Sequence, residues 1–142
     1  MIEFGKANSG GGDFFDAKNY SAYEVLLIEV KDFERDVPTP KYGRKDTGYI
    51  DVAAFKTAAD LAAGKAEVAQ NVVVQQTALA KTCGRLVGKA AIVKLNQIPT
   101  DKGNPAWVFD DIEDAAVQEQ VVAYVKQREE AIAKAVAAAP GF

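Results

Sequence analysis

Residues 68–97 read VAQNVVVQQTALAKTCGRLVGKAAIVKLNQ, and this stretch decides the fold. The β-branched run Val72, Val73 and Val74 suits a pleated, half-buried strand over residues 68–76. At Thr77 the period changes. Leu79 and Cys83 lie four apart on one face of a short helix over residues 77–86, with Thr77 as its N-cap. Gly84 weakens the last turn of that helix. Residues 87–97, VGKAAIVKLNQ, then return to a strand. A strand, a short helix and a strand thus follow one another without a long linker.

Upstream, residues 22–33, AYEVLLIEVKDF, form a first strand. Leu26, Ile28 and Val30 share one face, while Tyr23, Val25 and Leu27 share the other before Glu29 and Lys31 take over. Residues 34–47, ERDVPTPKYGRKDT, carry prolines, a glycine and mixed charge and read as a loop. Residues 48–56 form a second strand, with Ile50, Val52 and Ala54 on one side and Tyr49, Asp51, Ala53 and Phe55 on the other. Residues 57–65, TAADLAAGK, make a short helical turn ended by Gly64, or a loop.

Downstream, a turn over residues 99–105 leads into a fifth strand at residues 106–110. From residue 112 to about 138 the chain is helical. Val117, Val121, Tyr124, Val125, Ile132 and Val136 line one side, Asp111 or Asp114 caps the start, and Pro140-Gly141 ends it. That apolar side either packs on the strands or pairs with another subunit. Residues 1–19, with Gly10-Gly11-Gly12, read as a flexible arm, anchored at its end by Phe14 and Phe15.

The expected fold class is mainly β with helices (α+β). Its order, β-β-β-α-β-β-α, is that of a five-stranded OB-like Greek-key barrel, with a short helix between strands 3 and 4 and a long C-terminal helix. A different five-stranded barrel or an α+β sandwich also accommodates it. The organisation is an arm over 1–19, a barrel over 20–111, and an amphipathic helix and tail over 112–142.

The charges are unevenly placed although the net charge is only −3. From residue 68 to 109 the single acid Asp101 stands against Lys81, Arg85, Lys89, Lys94 and Lys102, a segment of +4. From 110 to 130, Asp110, Asp111, Glu113, Asp114, Glu119, Glu129 and Glu130 face only Lys126 and Arg128, giving −5. The acid-poor stretch suits a polyanion. The acids fall where a helix starts, and capping and the helix dipole account for them better than a Mg²⁺ site does.

The chain has no histidine and a single cysteine. That removes the commonest general base, every Ser-His or Cys-His pair, and N/S zinc sites. A binding protein without cofactor or catalysis is favoured over an enzyme. Cys83 lies on the apolar side of a helix and reads as buried and inert. No apolar run reaches the ~20 residues a membrane helix needs, and no signal peptide is visible. The expected location is the cytoplasm, with no membrane partner.

Candidate contacts follow from residue type. Lys41, Tyr42, Arg44 and Lys45 interleave an aromatic with cations in the first inter-strand loop, where a base can stack and phosphates can pair. Tyr49 and Phe55 share a side of the second strand and offer stacking rings, though Phe55 equally suits the core. Lys89, Lys94 and Lys102 are the cations of the fourth strand and the turn after it. Trp107, which shares a face with Phe109, is a further platform or a core residue.

The run at residues 71–97, followed by a polar loop and NPAWVFDDIEDAA, resembles the OB-fold single-stranded-DNA-binding proteins of phages infecting actinobacteria. The matching pieces are Val87-Gly88-Lys89, Asn104-Pro105-Ala106-Trp107-Val108 and Asp110-Asp111-Ile112-Glu113-Asp114. The opening Gly10-Gly11-Gly12-Asp13-Phe14 resembles that family too. One departure is that the proline stands a residue further from the tryptophan. The resemblance implies single-stranded DNA binding in phage replication or recombination, without chemistry, in the host cytoplasm, alongside replication or recombination proteins. The competing expectations are a structural or protein-interaction barrel module, and a carboxylate-metal nuclease.

Overall fold

A computed structural model describes residues 14–40, 43–100, 103 and 105–138. Its strands are β1 (Val25–Thr39), β2 (Gly43–Phe55), β3 (Glu67–Val74), β4 (Ala90–Ile98) and β5 (Ala106–Asp111). Its helices are α1 (Ala17–Tyr20), α2 (Ala58–Ala63), α3 (Thr77–Arg85) and α4 (Ala115–Ala138). The five strands form one antiparallel sheet in the order β3-β2-β1-β4-β5. The sheet is open, with β3 and β5 as its edges.

The expected elements are all present, with two differences. Residues 34–47 are not a loop but the extended end of the β1–β2 hairpin, paired as far as Thr39 and Gly43. Backbone pairing carries through the polar sequence because two register shifts absorb the mismatch, one of them around Asp36, whose φ is 53°. The second difference is that the arm assigned to residues 1–19 is ordered from Phe14 onward. Asp16 caps α1 by accepting from the Asn19 N–H at 3.1 Å, and Phe15 is buried. The rest of that arm lies outside the described residues.

Strand alternation separates the sheet into two faces. The inner face gathers Leu26, Ile28 and Val30 of β1, Ile50, Val52 and Ala54 of β2, Val72 and Val74 of β3, and Val93 and Leu95 of β4 into one core. Helix α3 closes it with Leu79 and Cys83, both fully buried. The approach is close at Gly48: a Cβ there would lie 2.5 Å from the Cys83 Cβ, so only glycine lets α3 settle on β2. Gln76, not Thr77, is the N-cap of α3, without a side-chain capping bond.

Phe15 reaches both edge strands. Its N–H donates to the Val73 carbonyl of β3 at 2.8 Å. Its ring stands edge-on to Phe109 of β5, with centroids 5.7 Å apart, and stacks on Tyr20 at 4.9 Å.

The outer face is covered over only part of its area. Val25, Leu27, Ala53 and Phe55 pack with Leu61 of α2 and Val121 of α4, with Val117, Tyr124 and Val125 around them. The C-terminal helix therefore takes the first of its two expected roles and packs on the sheet. Asp114 caps it, accepting from the N–H groups of Ala116 (2.8 Å) and Val117 (3.1 Å). Arg128 ends the contact through a two-pronged bond to Glu29 at 3.0 and 3.3 Å, which raises the guanidinium pKa further. Ile132, expected on the buried side, is exposed one turn beyond.

Candidate nucleic-acid interface

The uncovered part of the outer face lies toward the tip of the β1–β2 hairpin. Alternation along β2 puts Lys45, Tyr49 and Asp51 on it, each partly exposed, with the buried Thr47 between the first two. Tyr49 pairs across to Val73 of β3 and Asp32 of β1. Beyond Val73, the bridge from Phe14 adds one more residue in parallel. Because adjacent residues of an extended segment point to opposite sides, Phe15 enters the core while Phe14 stays out, 67 % exposed. Phe14, Lys45, Val73 and Gln75 line a shallow cleft there.

Hydrogen bonds stiffen this surface. The Tyr49 hydroxyl donates to Glu34 Oε1 at 2.6 Å. That bond, then burial, then the charges of Glu34 and Asp32 push its pKa up to about 12, so the phenol stays neutral and its ring orientation is held. Thr47 is the buried polar residue of the sheet. Its hydroxyl accepts from Gln75 Nε2 at 3.2 Å and donates to the Lys45 carbonyl at 3.2 Å, which satisfies it. A bulge at Asn71, whose φ is 57°, is pinned by its N–H donating to Asp51 Oδ1 at 3.0 Å. Asp51 also meets Lys31 at 3.4 Å.

Of the residues singled out in the sequence, Lys45 and Tyr49 share this side of β2, whereas Arg44 alternates to the opposite side of the hairpin. Lys41, Tyr42 and Lys102 lie outside the described residues. Phe55 is a correction. It has no exposed surface, and its ring meets Tyr124 of α4 edge-on at 5.1 Å, so no base can stack on it. Its side of β2 is outward as expected, but α4 covers that end. Trp107 is half-buried on the inner face, packed with Phe109 against the core rather than set beside Tyr49.

No protein-family model, curated protein or solved structure matches this chain.

The described cations of the acid-poor stretch, Lys81, Arg85, Lys89 and Lys94, do not converge on one groove. Lys81 and Arg85 stand on α3. Lys89 lies in the turn before β4, its carbonyl accepting from the Val30 N–H at 3.0 Å. Lys94 lies on the outer side of β4, across from Asp110, and Asp110 in turn accepts from Asn96 at 3.0 Å. Around Tyr49, Arg35, Arg44 and Lys45 are interspersed with Asp32, Glu34, Asp36 and Asp46. Stacking, more than net charge, is what this surface offers.

Phe14 is an exposed ring of this surface that sequence reasoning placed only as an anchor. The doublet Phe14-Phe15 carried the signal, since two adjacent rings in an extended chain cannot both face one core. Among the described residues, no three His, Cys, Asp or Glu side chains come together as a metal site. No helix among them is long and apolar enough to cross a membrane. Cys83 is fully buried, and desolvation pushes its thiol up to about 11.

Proposed function

We propose that the protein binds single-stranded DNA without sequence preference, in replication or recombination, with the strand lying across the outer face of β2 and β3. The observation that carries this reading is a pair of rings, the exposed Phe14 and the partly exposed Tyr49, on either side of Val73, with Lys45 on the same side of β2. Bases stack on such rings whatever their identity, at about 1–3 kcal/mol each. A further support is the β-β-β-α-β-β order with both edge strands reaching Phe15, which suits a partly open OB-like barrel. The resemblance to phage single-strand binders points the same way.

Anisotropy of a labelled 30-mer single strand, a duplex and an RNA, each at two salt concentrations, tests the reading. Single strand binds in preference to duplex, with a shallow salt dependence because acids accompany the cations. Tyr49→Ala and Phe14→Ala each weaken it about 5- to 100-fold, the stacking energy converted at 1.4 kcal/mol per decade. Trp107 emission stays unchanged, since that ring lies on the other face. Absence of single-strand binding at low salt, or affinity indifferent to both substitutions, overturns the proposal.

A further inference from the structure

A groove of about 750 Å³ runs between α4 and the β4 side of the sheet, away from Tyr49 and Phe14. On α4 its wall is Gln118, Val121, Val122, Val125, Lys126 and Glu129. Those positions recur in steps of three and one residues, which makes a continuous stripe about 16 Å long at 1.5 Å per residue. A stripe with that spacing is the seam one helix presents to another. Val121 is buried against the sheet and Val125 is half-buried, but Val122 is 63 % exposed, with nothing among the described residues covering it. The opposite wall is Ala90, Ala91 and Ile92 of β4, two of which are too small to reach across.

The charged side chains lining the groove are three acids and one lysine. Asp111 and Glu113 stand where β5 passes into α4, Glu129 stands at the far end, and Lys126 is the single lining cation. Arg128, the nearest guanidinium on α4, is taken by Glu29 at 3.0 Å. A second copy's α4 would bring Glu119, Glu129 and Glu130 against two lysines, with its Arg128 likewise engaged, and so would add acid to acid.

We propose that this groove receives an amphipathic helix of a partner protein. Its apolar side would lie along Val122 and Val125, and its flanking lysines or arginines would meet Asp111, Glu113 and Glu129. The docking does not depend on DNA binding, because the two surfaces are separate.

The probe is a fluorescein-labelled 14-residue peptide with leucines at helical three-four spacing and lysines on its flanks. Two controls have the same composition scrambled, and glutamate in place of lysine. The full-length protein binds the lysine peptide at least tenfold more tightly than either control. Val122→Asp weakens that binding about tenfold or more while the melting temperature holds, since the side chain is exposed. Glu113→Lys with Glu129→Lys inverts the preference between the lysine and glutamate peptides. Equal binding of the scrambled peptide, indifference to Val122→Asp, or sedimentation as a dimer that Val122→Asp dissolves would each overturn the proposal. The last result would assign the groove to a second copy.

Discussion

The inner and outer faces of the sheet are built from alternate residues of the same strands, yet they are closed by different means. The inner face is apolar from Leu26 to Val30, from Ile50 to Ala54 and at Val72 and Val74, and α3 with Phe15 seals it. The outer face is apolar only toward the start of β1 and the end of β2, where α4 lies, and turns polar at Glu29, Lys31, Asp51 and Tyr49. Coverage follows the apolar pattern. A helix is held where burial removes apolar area from water, at about 25 cal/mol per Å², and the polar end of the same face is left open for contact.

The largest test of that division is Phe55→Ala. If α4 makes the covered half of the outer face a true core, this substitution costs about 3–5 kcal/mol, as for any buried phenylalanine. Urea unfolding measures it. A loss below 1 kcal/mol would mean that α4 does not hold that surface, and that Phe55 is available after all.

Gly48→Ala tests the inner face. The new methyl meets Cys83 at 2.5 Å, and overpacking of this kind costs about 1–3 kcal/mol. The double substitution with Cys83→Ala restores part of the loss, measured in the same titrations. An unchanged midpoint for the single variant would break the claim that α3 seats directly on β2.

The smallest effect concerns two tyrosine–carboxylate hydrogen bonds. Tyr23 donates to Glu67 Oε1 at 2.6 Å and Tyr49 to Glu34, and both phenols are pushed up to about 12. A raised phenol pKa means the native state keeps a proton that the unfolded chain releases near pH 10. The stabilisation is therefore complete below pH 10 and is lost as pH rises toward 12. Absorbance of tyrosinate near 295 nm should show two tyrosines lagging the rest, and Tyr49→Phe should remove one of them. Titration of all the tyrosines near pH 10 in the folded protein would contradict both hydrogen bonds.

Much of the architecture was legible because it is local. Alternation at Leu26, Ile28 and Val30, the change of period at Thr77, and the capping acid before α4 each act within a few residues, so element types follow from the chain alone. The long hairpin was not legible. Pro38 carries turn chemistry, and it is pairing with Arg44 across the two strands that keeps it in β1. The candidate surface was half legible. Lys45 and Tyr49 fall four apart on one strand and therefore share a side, whereas Arg44 alternates away from them, and Lys89, Lys94 and Trp107 were joined only by a run of sequence poor in acids.

The sequence by itself determined which residues alternate, that helices lie near residues 77–86 and 112–138, that histidine chemistry is absent, and that Tyr49 and Phe55 point to one side of β2. Only the tertiary structure decided that α4 buries Phe55 and spares Tyr49, that Phe15 enters the core while Phe14 remains outside, and that Lys81, Arg85, Lys89 and Lys94 part onto different surfaces. The physical reason is range. Backbone period and capping are settled by neighbours in the chain, whereas burial is settled by whichever distant element has apolar area to cover.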